Sequence, residues 1–455
     1  MRAWLAELAW SPAFGLRSDV LIEASGDRLT TVTPDALDAP PAATRLAGLT
    51  MPGLANAHSH AFHRALRGVT QATRGTFWTW RERMYEVADR LDPDSYLALA
   101  TAVYAEMALA GISCVGEFHY LHHRPGGTPY ADPNQMGRAL IEAARRAGIR
   151  ITLLDACYLS GGLSADGRQQ PLEGPQLRFG DADGAAWAAR VEALEPDATG
   201  NLHPHARAGA AIHSVRAVAP GQMHDVVAWS HRYGAPLHVH VSEQVAENRA
   251  SLAAYRATPA EVLSSAGALG PRSTAVHATH LTETDVDLLG GGGVYVCFCP
   301  TTEADLADGI GPARELADAG SPLTLGSDSH AVIDVLEEAR RVELGERLAT
   351  QERGHFTAAE LASAATTTGH ASLAWPEAGD LVAGGLADFC TVALDSLRTA
   401  GAAPATALES VIFGATAADV RHLVVGGRDV VTEGRHVHVP DAPAALAAAI
   451  AAVLP

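Results

Sequence analysis

The sequence predicts an α/β fold: a (β/α)8 TIM-type barrel with a small β-sandwich domain formed by the N- and C-terminal segments. The first observation is that apolar, strand-like runs alternate with helix-like stretches through the middle of the 455-residue chain. The second is that short strand-like segments separated by turns occupy both ends. The third is that histidines and an aspartate follow several of the middle runs, where barrels of this kind hold their active sites.

Strand-like segments at both ends predict the small domain, because segments with similar length and turn pattern can pair in one β-structure. Examples are the apolar runs at 19–23 near the N-terminus and 388–393 near the C-terminus. We therefore expect residues 1–50 and 380–455 to form the small β domain and residues 51–379 to form the barrel.

Eight apolar runs predict the barrel strands, at 49–57, 112–118, 149–156, 208–213, 235–241, 273–278, 293–298 and 322–327. Helices are predicted between them at 94–110, 133–147, 185–194, 221–233, 259–269, 283–289 and 312–319, with a terminal helix at 442–455. The segment 157–207 is long for a connection and rich in Gly, Pro and Asp. We expect it to be a surface excursion, an active-site lid or a dimer contact.

Charge and composition exclude several classes of function. The formal net charge of −19 argues against nucleic acid or an anionic membrane as a partner. The chain contains no lysine, so all 33 basic residues are arginine. Schiff-base chemistry, a P-loop and a lysine-carbamate bridge between two metals are therefore excluded. A mononuclear metal site is then the simplest expectation.

Cysteine usage and the absence of a recognisable targeting segment predict a cytoplasmic protein. The five cysteines include no CxxC pair, which indicates reduced, mostly buried thiols. Cys297 and Cys299 are expected to be buried on a strand rather than to bind metal. The first residues lack a signal-peptide core, and no apolar stretch approaches the length of a membrane span.

A set of motifs at the ends of predicted strands forms a metal-binding pattern. The motifs are, in chain order, His58-Ser59-His60, His240-x-x-Glu243, His277 and Gly326-Ser327-Asp328. Alternate residues of a strand share a face, so two imidazoles at i and i+2 can hold one ion. The predicted metal ligands are His58, His60, His240 and Asp328. His277 is favoured over His280 for the third strand end, and four further histidines are not expected to be ligands: His119, His122, His123 and His330.

Three imidazoles and a carboxylate suit Zn2+, with Fe2+ as an alternative. Such an ion acidifies a bound water, which then attacks an electron-poor carbon. Glu243, three residues after His240, is placed to take the proton from water and to deliver it to a leaving nitrogen. We expect His277 to polarise the substrate or hold the hydroxide, and Asp328 to accept a proton as well as to bind the metal.

These motifs resemble those of the amidohydrolase superfamily, and the stretch 379–389 is similar to that superfamily's return into its small β-domain. The resemblance covers essentially the whole chain and implies a metal-dependent hydrolase, usually a deaminase when a mononuclear site includes HxxE. Other stretches resemble the formimidoylglutamate deiminase family, at 58–65, 77–82, 116–120, 212–217, 276–280 and 302–309. This implies hydrolysis of N-formimino-L-glutamate to N-formyl-L-glutamate and ammonia in histidine degradation, and superfamily precedent suggests a homodimer.

The same resemblance supplies contacts to the two substrate carboxylates, from His63, Arg81, Tyr120, His213 and Arg216. Arginine suits this task because its guanidinium pairs with a carboxylate in a bidentate geometry. His63 stands where the family has a glutamine, although a histidine ring can also donate to a carboxylate. Trp78 and Trp80 are expected either to shape the pocket or to pack in the core.

Three other interpretations are compatible with the residues. A mononuclear deaminase acting on guanine or an adenosine derivative would fit the metal motifs but has no paired carboxylates to bind. A non-catalytic relative would use the barrel as a scaffold, yet such proteins tend to lose metal ligands, and here all are present. Cleavage between glutamate and the formimino group would release formamide instead of ammonia.

Overall fold

The computed structural model describes residues 2–72, 74–75 and 77–454, with the side chains of Phe77 and Trp78 outside the described set. The described strands are β1 (Arg2–Ser11), β2 (Gly15–Ser25), β3 (Arg28–Thr33), β4 (Thr44–Pro52), β5 (Leu54–Ser59), β6 (Ile112–His119), β7 (Arg150–Cys157), β8 (Gly162–Leu163), β9 (Gln169–Gln170), β10 (Asn201–His203), β11 (Ala206–Ile212), β12 (Leu237–Val241), β13 (Ser273–His277), β14 (Tyr295–Phe298), β15 (Leu323–Leu325), β16 (Phe389–Val392), β17 (Val420–Val425), β18 (Arg428–Thr432) and β19 (Arg435–His436).

The described α-helices are α1 (Phe77–Arg90), α2 (Pro93–Leu109), α3 (Gln135–Ala147), α4 (Gly184–Glu192), α5 (Pro220–Tyr233), α6 (Val245–Tyr255), α7 (Pro259–Ser265), α8 (Glu283–Gly291), α9 (Pro300–Asp305), α10 (Ala313–Ala319), α11 (Val335–Thr350), α12 (Ala358–Ser363), α13 (Gly369–Ser372), α14 (Ala407–Gly414) and α15 (Ala442–Val453). Short 3-10 turns include Ala61–Leu66 and Gly174–Arg178. No helix among the described residues is long and apolar enough to cross a lipid bilayer.

The predicted barrel is confirmed. Its parallel strands follow the order β5-β6-β7-β11-β12-β13-β14-β15. The first and last strands meet at a single parallel bridge between Ser59 and Asp328. There the Asp328 amide donates to the His58 carbonyl (3.0 Å), and the His60 amide donates to the Asp328 carbonyl (3.2 Å). The barrel therefore closes at the residues predicted to bind metal.

The predicted small domain from the two chain ends is also present. In the described residues the terminal strands form one sheet, in the order β19-β18-β17-β16-β4-β1-β2-β3. It has its own apolar core, in which the rings of Trp4 and Phe389 meet edge to face at 5.1 Å. A buried ion pair joins it to the barrel, since Arg150 on β7 donates to Asp388 at 2.5 and 3.0 Å. The division into 1–50 plus 380–455 and 51–379 stays a proposal.

The single strand expected at 49–57 is wrong, because the run contains two strands. Residues up to Pro52 belong to β4 of the terminal sheet, and Leu54 begins β5 of the barrel. Gly53 lies between them, and a Cβ at this position would collide with the Ser113 side chain. A run of apolar residues marks burial but cannot show that the chain changes sheets within it.

Most predicted helices lie within a few residues of their observed bounds. Seven helices were not predicted: α1, α6, α9, α11, α12, α13 and α14. The segment 157–207 contains the β8–β9 hairpin, a 3-10 turn, α4 and β10. Gly161, Gly162, Leu163, Gln170 and Phe179 from this segment line a cavity at the carboxyl-terminal end of the barrel. The segment therefore forms part of a pocket wall.

Candidate active site

A cavity of about 290 Å³ opens at the carboxyl-terminal ends of the barrel strands. The predicted site residues lining it are His60, His63, Arg81, Tyr120, His213, Arg216, His240, Glu243, His277 and Asp328. His58 is fully buried and contacts this group. The fold thus brings together residues from widely separated parts of the sequence, as expected for parallel strands whose ends meet at one edge.

Ring nitrogens of His58, His60 and His240 converge with a carboxylate oxygen of Asp328. His58 Nε2 lies 3.1 Å from His240 Nε2. Asp328 Oδ1 lies 3.4 Å from His58 Nε2 and 3.4 Å from His60 Nε2. Ligands of a tetrahedral Zn2+ are about 3.4 Å apart, because each metal–nitrogen bond is about 2.1 Å long. The spacing therefore fits one small metal ion.

The hydrogen bonds of the outer ring nitrogens also suit a metal. His60 Nδ1 donates to the Phe118 carbonyl (2.9 Å), and His240 Nδ1 donates to the His213 carbonyl (2.8 Å). In a neutral imidazole this leaves each Nε2 with a lone pair that faces the cluster. Burial lowers the pKa of both rings, and it lowers the pKa of His58 to about 3. All three rings are therefore neutral ligands near neutral pH.

Asp328 supplies the negative charge of this cluster. Burial opposes ionisation of the Asp328 carboxyl. The hydrogen bond with His58 and the electrostatic effect of His58, His277 and His60 outweigh burial and lower the pKa of this carboxyl. The backbone is strained at the same strand ends. Positive φ angles occur at Ser242 (52°), His277 (70°), Ala278 (50°) and Asp328 (41°). Non-glycine residues in this region cost energy and concentrate at functional sites, where the surrounding structure holds them.

Glu243 and His277 lie beside the cluster on the acidic side of the cavity. His277 Nε2 is 4.0 Å from Glu243 Oε1 and 4.0 Å from Asp328 Oδ2. Its Nδ1 is 3.3 Å from Glu303 Oε1. Burial disfavours the charged ring. The hydrogen bond to Glu303 and the charges of Glu243, Asp328 and Glu303 outweigh burial and raise the pKa of His277 to about 10. The geometry favours His277 over His280, which does not line the cavity.

Glu303 was not predicted as a site residue. It is buried, and its Oε1 also accepts from the Cys299 amide (2.9 Å). This fixes the carboxylate that meets His277. Glu303 lies within the stretch 302–309 that carried the family resemblance, but no spacing rule connects it to His277, because the two belong to different strand–helix units.

The cavity lining also includes arginine, tyrosine and further histidine side chains. His63 Nε2 and the Tyr120 hydroxyl are 2.8 Å apart, and the His213 ring lies 4.3 Å from that of Tyr158. Burial lowers the pKa of His63 and of His213 well below the usual range. The neighbouring His60 lowers the pKa of His63 further, and Arg216 does the same for His213. These rings are therefore neutral groups near neutral pH.

Arg216 is already paired with acidic side chains in this cavity. Its NH2 group lies 3.3 Å from Glu243 Oε2, and its Nε lies 3.5 Å from Glu247 Oε1. The Glu247 side chain is fully buried, and its other oxygen accepts from the Glu243 amide (3.2 Å). Glu247 was missed in the sequence, where it is one of 52 acidic residues with no motif around it.

Trp80 lines the cavity, and its ring is 5.2 Å from that of His63. It therefore shapes the pocket. The Trp78 side chain, for which the same two roles were expected, lies outside the described residues. Arg81 lies on α1 and donates from Nε to the Tyr85 hydroxyl oxygen (2.6 Å).

The four histidines not expected to be ligands lie away from the cavity lining. His119 and His122 form a second buried group with Asp155 whose atoms are close enough to hold an ion. Arg190 occupies the Asp155 carboxylate at 2.8 and 2.9 Å, which opposes a cation there. His330 instead joins Ser59 (3.2 Å) to Ser327 (2.9 Å) across the barrel closure.

The five cysteines are all free and buried. Cys297 and Cys299 pack in the barrel interior against Ala57 and Val276. Potential ligand atoms of Cys299, His277 and Glu303 lie close enough together to hold an ion. Burial, however, raises the pKa of the Cys299 thiol well above the usual value. A buried thiol of this kind stays protonated and packs as an apolar side chain.

Comparisons with known proteins agree with this geometry. A sequence profile described as the amidohydrolase family matches residues 49–430. The chain is 35% identical over 447 residues to the formimidoylglutamate deiminase of Pseudomonas aeruginosa, covering 96% of each chain. It is 29% identical over 400 residues to a 5-methylthioadenosine/S-adenosylhomocysteine deaminase of Natronomonas pharaonis, covering 87% of this chain and 84% of that protein. Among solved structures, an amidohydrolase from Brucella melitensis superposes with a TM-score of 0.90 at 31% identity, over 100% of both chains.

Proposed function

The chain belongs to the amidohydrolase family and is a hydrolase acting on C–N bonds, and from that premise we propose that it converts N-formimino-L-glutamate and water into N-formyl-L-glutamate and ammonia. The observation that carries this proposal is that one cavity is lined by carboxylates and by guanidinium groups. Glu243 and Asp328 lie beside the candidate metal ligands, where they suit a cationic formimino group. Arg81 and Arg216 line the same cavity, where they suit carboxylates.

The metal would be held by His58, His60, His240 and Asp328, and Zn2+ suits this set best, with Fe2+ as an alternative. When bound, it supplies Lewis acidity and lowers the pKa of a water. Glu243 accepts the proton of the attacking water and passes it to the departing nitrogen, which leaves as ammonia. His277 donates a hydrogen bond to the reacting centre, and Asp328 takes up a second proton.

The substrate carboxylates are assigned to the arginine, tyrosine and histidine side chains of the cavity. Arg81 and Arg216 provide charge, while His63, Tyr120 and His213 provide neutral donors. His63 replaces the glutamine typical of the resembled deiminases, and its Nε2 faces the Tyr120 hydroxyl. A neutral His63 ring carries one N–H, and the Tyr120 phenol carries one O–H. One of these two protons forms the hydrogen bond between the side chains. The other is available to a substrate carboxylate. We further propose a cytoplasmic homodimer that acts in histidine degradation.

A deaminase of guanine or an adenosine derivative is the alternative, and the similarity to a 5-methylthioadenosine/S-adenosylhomocysteine deaminase favours testing it. Such substrates carry no paired carboxylates. Activity toward them would not require two arginines. Replacing Arg81 and Arg216 by methionine, each alone, therefore tests the two functions, provided that the protein still binds metal. Arg81→Met is the variant that separates them, because Arg216 also pairs with the proton carrier Glu243.

A product assay tests the proposal directly. Purified protein loaded with Zn2+ is given N-formimino-L-glutamate, and ammonia and N-formyl-L-glutamate are measured together, with the Glu243→Gln variant as the control. Equal release of both products by the unmodified protein supports the deiminase. Formamide plus glutamate would place the cleavage at the other C–N bond. Absence of turnover with metal bound, together with deamination of a purine, would replace the proposal by the alternative.

A further inference from the structure

Tyr85 on α1 has an unusual set of partners at the cavity wall. Arg81 donates from Nε to the Tyr85 phenol oxygen at 2.6 Å. Gln176, from the 3-10 turn in the long segment 157–207, donates from Nε2 to the same oxygen at 2.9 Å. Tyr85 lines the cavity. Two donors therefore meet one hydroxyl oxygen in the cavity lining.

The orientation of the Gln176 amide follows from its other bonds. Its Oε1 accepts from the Glu173 amide (3.3 Å), which directs Nε2 away from the turn. Nε2 then donates to the Gly161 carbonyl (3.1 Å) and to the Tyr85 hydroxyl oxygen (2.9 Å), with a longer contact to the Tyr158 hydroxyl oxygen (3.4 Å). Gln176 is 7% exposed, so this arrangement is held by packing. The amide oxygen must face the Glu173 N–H, because a backbone N–H can only donate.

The Tyr85 hydroxyl also carries a proton that it can donate. Arg81 Nε can only donate, and Gln176 Nε2 can only donate, so both lone pairs of the phenol oxygen are occupied. Among the described residues, no acceptor lies within hydrogen-bond distance of the Tyr85 hydroxyl. Burial raises the pKa of Tyr85 to about 12, which keeps the phenol protonated near neutral pH. Its O–H is thus available to a molecule in the cavity.

We propose that Tyr85 donates this hydrogen bond to one carboxylate of the substrate, beside the Arg81 guanidinium, and that Gln176 is the positioning residue that orients it. The proposal rests on the proposed function and deepens it by assigning a further substrate contact. A hydroxyl donor next to a cation selects an anionic acceptor. Arg216 lies among Glu243 and Glu247 instead, so the two arginines serve different anion positions.

The same geometry assigns a role to the long segment. Gly161 and Gln176 both belong to it, and the Gly161 carbonyl also accepts from Arg81 NH2 at 3.3 Å. The segment therefore holds the guanidinium and the phenol together. A carboxylate bound there would be recognised by α1 side chains whose orientation is set by residues about 80 to 100 positions later in the chain.

The test compares Tyr85→Phe with Tyr233→Phe, a matched control whose hydroxyl bonds Glu192 outside the cavity. For N-formimino-L-glutamate we expect KM to rise about tenfold in Tyr85→Phe, with kcat within twofold, because a hydrogen bond to a charged group is lost. Two further compounds each lack one carboxylate: N-formimino-L-2-aminobutyrate lacks the side-chain carboxylate, and N-formimino-4-aminobutyrate lacks the α-carboxylate. For one of these two compounds Tyr85→Phe should not raise KM, because the carboxylate that Tyr85 binds is missing. An unchanged KM for the dicarboxylate, or equal effects on all three compounds, would overturn the proposal.

Gln176→Leu tests the positioning role. Alone it should raise KM about threefold while kcat stays constant, and in the Tyr85→Phe background it should add less than twofold, because it acts through Tyr85. Fully multiplicative effects would overturn that role.

Failure of the proposed function is recognised separately. If the unmodified protein does not turn over N-formimino-L-glutamate, titration calorimetry with glutarate compares the same proteins. About tenfold weaker binding to Tyr85→Phe would keep the carboxylate site while removing the deiminase assignment, and equal binding would overturn the site.

Discussion

Replacing Arg216 by methionine gives the sharpest test of how the cavity recognises its substrate. Arg216 NH2 lies 3.3 Å from Glu243 Oε2, and its Nε lies 3.5 Å from Glu247 Oε1. The Glu247 side chain is fully buried. Burial raises the pKa of Glu247 although Arg216 opposes this. Methionine keeps an unbranched apolar stem but removes the guanidinium group, which leaves two carboxylates without their shared cation.

The expected magnitude follows from these distances. Opposite charges 3.5 Å apart attract by about 5 kcal/mol at an effective dielectric constant of about 20. Desolvation offsets part of this, and truncating one partner of a buried, hydrogen-bonded charge pair costs about 2–5 kcal/mol. If that loss falls on transition-state binding, kcat/KM for N-formimino-L-glutamate drops by about 30- to 5,000-fold, since 1.36 kcal/mol is tenfold.

The assay measures kcat and KM for N-formimino-L-glutamate, with metal content and thermal unfolding of the same samples. Arg232→Met is the matched control, because Arg232 pairs with Glu192 on the protein surface (3.0 Å) and its side chain is 66% exposed. This control should retain kcat/KM within about twofold, since surface ion pairs contribute little. A loss below threefold in Arg216→Met, with metal retained, would refute the assignment of Arg216 to the substrate.

Three further predictions concern the metal, the base and the fold. Removing the metal with a chelator should abolish turnover, and Zn2+ or Fe2+ should restore it; activity that survives in metal-free protein would contradict a metal-dependent reaction. Glu243→Gln should lower kcat by about 10²- to 10⁴-fold while metal content stays constant, because the proton carrier is removed; a kcat within threefold of the parent would assign that role to another group. Arg190→Met should destabilise the protein by about 3–5 kcal/mol in urea unfolding, because Arg190 bridges buried Asp155 and Asp181 at 2.8 Å each; a shift below 1 kcal/mol would show that the bridge is dispensable.

The barrel and the strand-end histidines were predictable because the pattern is local. An imidazole pair at i and i+2 shares a face of any strand, and parallel strands bring their carboxyl ends to one edge. The sequence order of His58, His240, His277 and Asp328 was enough to expect a common site, and the structure brings all four together. The helix-like stretches predicted at 221–233 and 259–269 likewise begin within one residue of α5 and α7.

Other features had no local signal. The change of sheet at Gly53 was hidden inside one apolar run, because burial is the same on both sides of it. Glu303 and Glu247 act through contacts between different strand–helix units. Tyr85 and Gln176 are about 90 residues apart, and neither belongs to a recognised chemical pattern.

The sequence by itself determined the fold class, the metal-ligand types and the exclusion of lysine chemistry, since these depend on residue identity and short-range periodicity. Only the tertiary structure decided which histidine faces the cavity, which carboxylate holds His277, and how Arg81 and Arg216 are separated. The physical reason is that hydrogen bonds and ion pairs depend on distances of a few ångströms between residues far apart in the chain. Those distances exist only once the barrel has closed at Ser59 and Asp328.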